Sequence, residues 1–356
     1  MRALKIGAHI IRPGEPCFVI AEVAQNHDGS LGMAHAFIDA AADAGADAIK
    51  FQTHIAAAES TRDEPWRTRF SRQDASRYDY WKRMEFTPEQ WAGLRDHAAE
   101  EGIIFLSTPF SLEAVALLDR LGVPAWKVGS GEFRSEELLG AMLASRHPIL
   151  FSTGMSTWAE IDAAVGTLRR ADSNFALLQC TSQYPTPLER VGLNVIDEIR
   201  HRHGCPVGLS DHSGRTAAPL AAIARGADVL EVHVTFDRRM FGPDVVASLT
   251  FEELGQVVAF RDACRVMDSH PVDKDAMALE FAEMRAIFTK SLAPARPLAA
   301  GSVLTRDALI AKKPGSGIPA ALMEQLVGRR LARDVAPDRL LHPDDIEGGF
   351  DRESAI

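Results

Sequence analysis

The sequence predicts an α/β fold, a (β/α)8 TIM barrel followed by a small C-terminal domain. Eight short apolar segments alternate with helix-like segments, as expected for parallel strands that are covered by helices. Eight is also the number of strands that closes into a barrel with a filled interior. Beyond about Lys290, prolines and glycines interrupt short segments, which indicates a compact unit with little regular structure.

The strands and helices can be placed along the chain. The rival fold, an open doubly wound sheet, is disfavoured because no G-x-G-x-x-G motif follows the first strand. One helix start is well defined, since Thr87 is a capping residue, Pro88 suits the first turn and Gln90 completes a capping box. The predicted strands lie at 18–22, 48–53, 103–108, 125–130, 149–153, 175–181, 208–214 and 229–235, the helices include 31–44, 88–101 and 252–267, and the domains span 1–285 and 290–347.

Composition and charge exclude several classes of protein. The 356 residues are 46% hydrophobic, enough for a large core, and the net charge of -10 argues against a nucleic-acid surface. No apolar run is long enough to span a bilayer and no signal-peptide pattern begins the chain, so a cytoplasmic protein is expected. The four cysteines form no C-x-x-C pair, which is typical of reduced thiols, and we expect Cys180 to be structural.

One connection, residues 55–85 after the second strand, is longer than usual for a compact fold. We expect it to be irregular, and long connections are commonly lids or binding loops. A solvated insertion or a dimer contact is an equally acceptable interpretation. The connection carries Arg62, Arg67, Arg69, Arg72 and Arg77 among Trp66, Tyr78, Tyr80 and Trp81.

Two histidines, His212 and His233, lie at the ends of neighbouring strand-like runs, each with an acidic residue nearby. Because alternate residues of a strand share a face, Ser210 lies on the side of His212, and Glu231 lies on the side of His233. In a parallel barrel such residues collect at the carboxyl ends of the strands. A single histidine there is usually just a hydrogen-bonded polar residue. The pair favours a divalent ion with open positions, Mn²⁺ first, with Mg²⁺ or Co²⁺ as alternatives.

The other strand ends supply lysines, hydroxyl groups and backbone amides beside glycines. Lys50 and Lys127, with the segments at 129–131 and 153–154, suit a phosphate or a phosphate-plus-carboxylate ligand. A metal would then polarise a second substrate that carries a carbonyl group. The polar strand-end residues are Glu22, Lys50, Gln52, His54, Thr108, Lys127, Ser130, Ser152, Thr153, Thr181, Ser182, Ser210, Asp211, His212, Glu231, His233 and Thr235.

Eight short motifs follow one another at consistent spacing along nearly the whole chain. They are IAEVAQNHDG (20–29), IKFQT (49–53), STPF (107–110), KVGSG (127–131), STGM (152–155), CTSQYP (180–185), SDH (210–212) and GPD (242–244). Together they resemble the sialic acid synthases, also called the N-acetylneuraminate synthase family. Residues 298–304 and 313–318 resemble the C-terminal antifreeze-like (SAF) domain of that family.

The resemblance implies a condensation of phosphoenolpyruvate with N-acetylmannosamine or a related 2-acetamido sugar, giving a nine-carbon 2-keto sugar acid and phosphate. The C–O bond of phosphoenolpyruvate would break, and a metal on His212 and His233 would bind the aldehyde oxygen of the sugar. Glu22, Glu231 and Lys50 match the catalytic positions. Substrate positions are matched by Lys50, Gln52, Thr108, Lys127, Ser130, Ser152, Ser182, Tyr184, Ser210, Asp244 and Lys313.

Members of the family form a dimer in which the small domain of one subunit covers the barrel mouth of the other, so a domain-swapped homodimer is expected. Lys313 stands where the family has a substrate-contacting arginine, and lysine cannot make the same planar two-pronged contact. Ser182 stands where some members have asparagine. These departures leave open a legionaminic or pseudaminic acid synthase, which uses a 2,4-diacetamido-2,4,6-trideoxyhexose.

Hypotheses from other classes remain. Phosphate-binding and metal-binding groups in a barrel also suit a metal-dependent aldolase, or a synthase that makes shorter sugar acids from phosphoenolpyruvate. A non-catalytic relative that serves polysaccharide or spore-coat assembly is a further hypothesis. The intact set of Lys50, Lys127, His212, His233 and Glu231 argues against it, because a scaffold has no use for these groups.

Overall fold

The structure is a computed structural model that describes residues 3–351, and the chain divides into two compact units. The first unit ends at Ser269 and the second begins at His270. Within the described range, no helix has both the length and the apolar composition needed to cross a membrane. Each unit has its own apolar core, so the two are described separately.

The first unit is a nearly closed barrel of eight parallel strands, which confirms the fold predicted from the sequence. The described strands of this unit, eight in the barrel (β3 to β10) and three outside it, are β1 (Leu4–Ile6), β2 (His9–Ile11), β3 (Phe18–Ala24), β4 (Ala48–Thr53), β5 (Ile104–Pro109), β6 (Trp126–Val128), β7 (Ile149–Ser152), β8 (Phe175–Cys180), β9 (Val207–Asp211), β10 (Val229–Thr235) and β11 (Ser248–Thr250). The barrel runs in the order β5-β4-β3-β10-β9-β8-β7-β6, and β5 and β6 lie side by side at the two ends of this path. The short strand β11 pairs with β10 outside the path.

The antiparallel hairpin β1–β2 packs against the beginnings of the barrel strands. Side chains that point inward near these strand starts are apolar and buried, so they fill the barrel interior at that end. We call this group the apolar plug. It consists of Leu4, Ile6 and Ile11 from the hairpin with Phe18, Ile20, Ala48, Leu106, Ala125, Leu150, Ala176, Leu178 and Val229.

Helices cover the outside of the barrel and bury the outward-facing strand residues in a second, larger core. The predicted capping box is confirmed: Thr87 accepts from the N–H of Gln90, and the Gln90 side chain accepts from the N–H of Thr87. The helices are α1 (Leu31–Asp43), α2 (Ala56–Glu59), α3 (Arg77–Met84), α4 (Pro88–Glu100), α5 (Leu112–Leu121), α6 (Glu136–Ala144), α7 (Trp158–Arg170), α8 (Leu193–His203), α9 (Ala217–Ala224) and α10 (Phe251–Asp268), with 3-10 turns at Leu188–Arg190 and Val245–Ala247.

The connection at 55–85 is not irregular throughout, so that prediction was wrong. It contains α2 and α3, and α3 begins with a capping box that the sequence interpretation overlooked. Ser76 accepts from the N–H of Asp79, and the Asp79 carboxylate accepts from the N–H of Ser76. Arg83, near the end of α3, pairs with Asp74 at 2.8 Å and with Asp28 at 2.7 Å. These contacts tie the connection to the barrel.

The second unit begins with two short helices and continues as a small folded domain. Its elements are α11 (Lys274–Glu280), α12 (Ala282–Phe288), β12 (Ser291–Pro294), β13 (Leu309–Lys312) and α13 (Met323–Leu326), with 3-10 turns at Arg306–Ala308, Ala320–Leu322 and Pro343–Asp345. Strands β12 and β13 pair antiparallel, and leucines and isoleucines form a compact core around them. Neither α11 nor α12 contributes a buried residue to that core.

Candidate active site

The carboxyl ends of the barrel strands surround a cavity of about 500 Å³. Its wall contains every site residue predicted from the sequence except Lys313: Glu22, Lys50, Gln52, Thr108, Lys127, Ser130, Ser152, Ser182, Tyr184, Ser210, His212, Glu231, His233 and Asp244. Lys313 belongs to the second unit, where its Nζ lies 4.8 Å from the centroid of the Phe288 ring.

The register of the strands brings the charged residues together. Glu22 on β3 lies opposite Lys50 on β4, and Ser210 on β9 lies opposite Glu231 on β10. Because side chains alternate along a strand, each of these residues points inward two positions beyond an apolar residue or glycine. Parity within two strands predicted the inward side of Ser210 and Glu231, and position at a strand end predicted Glu22 and Lys50; the structure places all four in the cavity wall.

Two lysines and two glutamates form a buried cluster of charges. Lys50 Nζ lies 2.7 Å from Glu22 Oε2 and 3.7 Å from Glu231 Oε2, while Lys127 Nζ lies 3.4 Å from Glu231 Oε1. All four side chains are at most 5% exposed. Burial of charge on this scale is costly unless the charges are paired, so the cluster marks a site with a function beyond stability.

Burial and pairing move the pKa values of the two glutamates in opposite directions. Burial raises the pKa of Glu22 to about 7, although Lys50 opposes the change. Burial also disfavours the charged form of Glu231, but Lys127 and Lys50 outweigh it and the pKa of Glu231 is lowered. Two neighbouring carboxyl groups with divergent pKa values are suited to different roles, one carrying a proton and one remaining charged.

Hydroxyl groups form hydrogen bonds with the charged side chains of this cluster. Lys50 donates to Thr108 Oγ1 at 3.1 Å, and Lys127 donates to Ser152 Oγ at 2.8 Å. Ser210 donates to Glu231 Oε1 at 3.1 Å. Lys50 and Lys127 therefore both point into the cavity, each held by a hydroxyl from a neighbouring strand.

A small recess next to Lys127 is lined by backbone and hydroxyl groups. The N–H of Gly154 donates to Ser130 Oγ at 3.0 Å. A Cβ atom at position 154 would lie 2.6 Å from Ser182 Oγ and 2.7 Å from Ser130 Oγ, so only glycine leaves the recess open. Hydroxyl and N–H donors beside a lysine are the groups that bind phosphate or carboxylate oxygens.

His212 and His233 lie together in the wall, with ring centroids 5.1 Å apart. His212 Nδ1 is 2.8 Å from the carbonyl oxygen of Thr181 and therefore carries the proton, which leaves Nε2 to accept from the Tyr184 hydroxyl at 2.9 Å. The Tyr184 and His212 rings stack at 4.1 Å. Within the described residues, His233 Nδ1 is buried and has no hydrogen-bond partner.

These residues fit a divalent metal ion. Burial, with His212 nearby, lowers the pKa of His233 well below its ordinary value, and a neutral imidazole is the form that binds a metal. Two imidazole ligands beside Glu231 and an open cavity leave positions for water and substrate, as catalytic rather than structural sites do. The observation that supports the fit is the buried Nδ1 of His233, which has no hydrogen-bond partner among the described residues.

The connection at 55–85 forms one side of the cavity. The guanidinium of Arg67 lies 4.4 Å over the Tyr184 ring and 3.7 Å from Asp244 Oδ1. Trp66, Phe70 and Tyr80 add aromatic surface beside it. Residues of this connection line the cavity, as a lid or binding loop would, and its role as a lid or as a dimer contact stays a prediction.

Several wall residues escaped the sequence interpretation. Gln25 donates to Gln52 Oε1 at 2.9 Å, and Gln52 in turn donates to Glu22 Oε1 at 2.8 Å. The position of Gln25 in the motif at 20–29 was the sequence signal available for this residue. Phe110, Glu132 and Met155 come from loops after the strands, and Glu59 comes from α2. Phe110 and Met155 end the motifs at 107–110 and 152–155, which was a signal for them. Parity within strands does not extend to loops or to α2, so no sequence signal pointed to Glu59 or Glu132.

Comparison with known families completes this description. The NeuB family profile matches residues 37–270, and the SAF domain profile matches residues 289–347. The chain belongs to the NeuB family. The resemblance inferred from the eight motifs is therefore confirmed.

Relatives of known name span nearly the whole of this NeuB-family chain. The N,N'-diacetyllegionaminic acid synthase of Legionella pneumophila is 32% identical over 343 residues, 93% of this chain and 95% of its own. The human N-acetylneuraminate-9-phosphate synthase is 34% identical over 330 residues, 91% of this chain and 90% of its own. The crystal structure of N-acetylneuraminic acid (sialic acid) synthetase from Leptospira borgpetersenii, in complex with citrate, superposes with a TM-score of 0.70 at 31% identity, covering 80% of this chain and 96% of the other.

These similarities establish that the NeuB-family chain is an enzyme of the synthase type, as predicted. The named relatives differ in the sugar acid that they make. Similarity of 32% to one and 34% to another does not choose between them, so the acceptor must be argued from the site itself.

Proposed function

We propose that this protein condenses phosphoenolpyruvate with N-acetylmannosamine, or a closely related 2-acetamido sugar, to form a nonulosonic acid and phosphate. The observation that carries the proposal is the pair of buried lysines, Lys50 and Lys127, in a cavity that is also lined by the hydroxyl groups of Ser130, Ser152 and Ser182 and by two histidines. Phosphoenolpyruvate carries a phosphate and a carboxylate close together, and the two lysines offer a cation for each.

Phosphoenolpyruvate would bind with its anionic groups on Lys50, Lys127 and the recess. Ser130, Ser152, Ser182, Ser210 and Thr108 offer hydroxyl donors around the same volume. The two lysines are now balanced by Glu22 and Glu231 at 2.7 to 3.7 Å. An incoming anion shares these cations, which weakens the hold of Lys50 on Glu22 and raises the basicity of that carboxylate.

His212 and His233 would hold a divalent metal ion, Mn²⁺ first, with Mg²⁺ or Co²⁺ as alternatives. Such an ion, when bound, supplies Lewis acidity toward the carbonyl oxygen of a sugar. Thr181 fixes the orientation of His212 by accepting from its Nδ1–H, and Tyr184 stacks on the same ring. The protein thus keeps Nε2 of His212 directed at the cavity.

The two glutamates would divide the acid–base work. As the alkene carbon of phosphoenolpyruvate attacks the aldehyde, positive charge develops on the adjacent carbon. The negative carboxylate of Glu231 would stabilise this positive charge. Glu22, with a pKa of about 7, can take a proton from the water that adds to that carbon. Loss of phosphate then breaks the C–O bond and leaves the 2-keto acid.

The acceptor sugar would lie between Gln52, Tyr184, Asp244 and Arg67. Asp244 is buried in the cavity wall and offers carboxylate oxygens to sugar hydroxyls. A 2,4-diacetamido-2,4,6-trideoxyhexose is the second candidate, favoured by the aromatic surface of Trp66, Phe70 and Tyr80 on the same side.

A domain-swapped homodimer, with Lys313 of each subunit contributing to the other's site, is part of the proposal. Its support lies in exposed apolar side chains on α11 and α12, where Leu279 is 77% exposed, Ile287 61% and Phe288 59%. Monomeric proteins rarely leave such a run of large apolar groups in water. Sedimentation at micromolar concentration tests this part separately.

The decisive experiment is phosphate release from phosphoenolpyruvate with Mn²⁺ and three acceptors: N-acetylmannosamine, its 6-phosphate, and a 2,4-diacetamido-2,4,6-trideoxyhexose. We expect release with N-acetylmannosamine, and loss of release with EDTA that Mn²⁺ restores. Phosphoenolpyruvate labelled with ¹⁸O at the bridging position reports the bond broken, because C–O cleavage delivers the label to phosphate.

His212→Ala and His233→Ala are the matched controls, and both should lose turnover and Mn²⁺ affinity while keeping the circular dichroism of the parent. Release only with the diacetamido sugar would move the protein to the legionaminic or pseudaminic acid synthases. Mn²⁺ binding without turnover of any acceptor would instead support the non-catalytic hypothesis of polysaccharide or coat assembly.

A further inference from the structure

Two helices on the outside of the barrel carry matching pairs of a histidine and an acidic residue. Helix α1 carries His35 and Asp39, and α4 carries His97, with Glu101 as the residue that directly follows the helix. In each pair the two residues are four positions apart, so their side chains lie on one face of the helix. None of these four residues lines the cavity at the barrel mouth.

Helices α1 and α4 pack side by side, and the four side chains meet between them. His97 Nε2 lies 2.9 Å from Asp39 Oδ1 on the other helix and 4.0 Å from Glu101 Oε1 on its own. One ligand atom from each of these three residues lies within 4.8 Å of the other two. Ligand atoms around one zinc ion are about 3 to 4 Å apart, so small rotations of the two exposed carboxylates let all three residues bind a shared ion.

The second histidine holds the first in place. His35 Nδ1 lies 2.9 Å from His97 Nδ1, and the centroids of the two rings are 4.9 Å apart. One of these nitrogens donates and the other accepts. When the Nε2 atom of His97 is a metal ligand, its proton resides on Nδ1 and is donated to His35. Metal-binding histidines are commonly oriented by such a hydrogen bond from their second nitrogen.

No lysine or arginine balances the two carboxylates. Among residues 3–351, the ion-pair partner within 4 Å of Asp39 and of Glu101 is His97 alone. Both carboxylates also lie near the carboxyl ends of their helices, where the helix dipole is negative. Basic side chains usually occupy such ends, but the last turn of α1 has none and that of α4 has only His97. Two acidic groups and two negative helix ends therefore surround one imidazole, which favours a cation.

We propose that Asp39, His97 and Glu101 form a second metal site, which takes a divalent ion of the zinc class. One imidazole and two carboxylates are ligands that zinc accepts, and a mixed nitrogen and oxygen site binds Zn²⁺, Ni²⁺ or Cu²⁺ more tightly than Mn²⁺. Each helix precedes the start of the next barrel strand, so the site lies at the opposite end of the barrel from the cavity. The ion would join α1 to α4 and stabilise the folded first unit. This inference does not rest on the proposed function.

The test counts the Zn²⁺ ions that the full-length protein binds, by equilibrium dialysis with elemental analysis and by isothermal titration. We expect His97→Ala to bind one Zn²⁺ fewer than the parent, whatever the occupancy of the cavity. The full-length variant H212A/H233A should keep the ion that His97→Ala loses. A molar excess of Mg²⁺, which prefers oxygen ligands, should not displace this ion.

His201 on α8 provides the matched control, because it also lies four residues after an acidic residue, Asp197. There the carboxylate is already paired with Arg200 at 3.5 Å and with Arg225 at 3.1 Å. His201→Ala should therefore bind as many Zn²⁺ ions as the parent. Loss of the same ion in His201→Ala and in His97→Ala would mean that exposed histidines bind Zn²⁺ without a built site, and would overturn the proposal.

Stability and the role of His35 give two further measurements. In H212A/H233A, Zn²⁺ should raise the urea midpoint, and the triple variant H97A/H212A/H233A should lose this rise, because an ion that binds only the folded state stabilises it. His35→Phe keeps a ring between the helices but cannot hydrogen-bond to His97, so Zn²⁺ affinity should fall roughly 10-fold. An equal Zn²⁺ count in the parent and in His97→Ala contradicts the proposal. If His97→Ala fails to fold, Asp39→Asn takes its place with the same expected loss of one ion.

Discussion

The two ends of the barrel are built from the same strands and have opposite chemistry. At the strand starts the inward side chains form the apolar plug under the β1–β2 hairpin. Two or four residues further along the same faces, the inward side chains are Glu22, Lys50, Thr108, Lys127, Ser152, Ser210 and Glu231. Pairs such as Ile20 and Glu22, or Leu150 and Ser152, differ by a single step of the strand period.

The difference teaches where the stability and the chemistry of this fold lie. The plug buries apolar surface without polar atoms and so contributes free energy of folding. The mouth holds two lysines and two glutamates that are paired within 3.7 Å, an arrangement that costs desolvation and that we propose serves to bind an anion. Substitutions at the two ends should therefore affect different measurements.

The largest effect is expected at the mouth, from Lys127→Met. The methionine fills the same volume but removes a cation that phosphoenolpyruvate needs, so kcat/KM should fall roughly 1,000-fold, about 4 kcal/mol. Steady-state phosphate release measures the loss. The double variant K127M/E231Q should unfold at higher urea than K127M because no buried charge loses its partner, yet stay equally inactive. Recovery of activity in the double variant would contradict the role of Lys127.

The next effect is expected at the opposite end, from Leu4→Ala in the hairpin. Leu4 is 1% exposed in the plug, and its truncation should lower the free energy of unfolding by about 3 kcal/mol. Urea denaturation followed by circular dichroism measures this. At temperatures well below the transition, kcat/KM should stay within two-fold of the parent. A large kinetic defect in a fully folded variant would mean that the two ends are not independent.

A smaller effect concerns the pH dependence of the mouth. Burial raises the pKa of Glu22 to about 7, so the carboxyl group is protonated below this pH and ionised above it. Because the proposed base must be ionised, kcat/KM should fall about ten-fold per pH unit below 7 and level off above it. Glu22→Gln should abolish most of the activity and remove this limb. A parent profile that stays flat from pH 5 to 8 would exclude Glu22 as the base.

Much of this comparison could be predicted from the sequence, because strands repeat every two residues. Parity predicted the inward side of Ser210 and Glu231, position at strand ends predicted Glu22, Lys50 and Lys127, and the structure brings these residues together. The same period explains the plug, although the sequence interpretation did not foresee that residues 4–11 form a hairpin that closes it.

The unpredicted part of the site comes from segments without a period. The partner of His54 in α2, Glu59, is five residues away, but its ring neighbours Trp81 in α3 and Phe110 after β5 are distant in sequence and reach it only through tertiary packing. The capping box of Ser76 and Asp79 was a local signal for α3 that sequence analysis could have used. No local signal places Arg67 over Tyr184, because that contact depends on how the whole connection folds back.

The smallest expected effect separates the two ends most sharply, since it changes one atom. Ala176→Ser places in the fully buried plug the same hydroxyl group that Ser152 carries at the mouth. Unlike Ser152, a serine in the apolar plug has no lysine that donates a hydrogen bond to its hydroxyl group. The free energy of unfolding should therefore fall by about 1 kcal/mol, and the kinetics should not change. The matched change, Ser152→Ala, removes the partner of Lys127 and should lower kcat/KM while scarcely altering the urea midpoint. If Ala176→Ser impairs catalysis more than Ser152→Ala does, the division between a stabilising end and a reactive end fails, because a single polar atom in the plug would then act on chemistry.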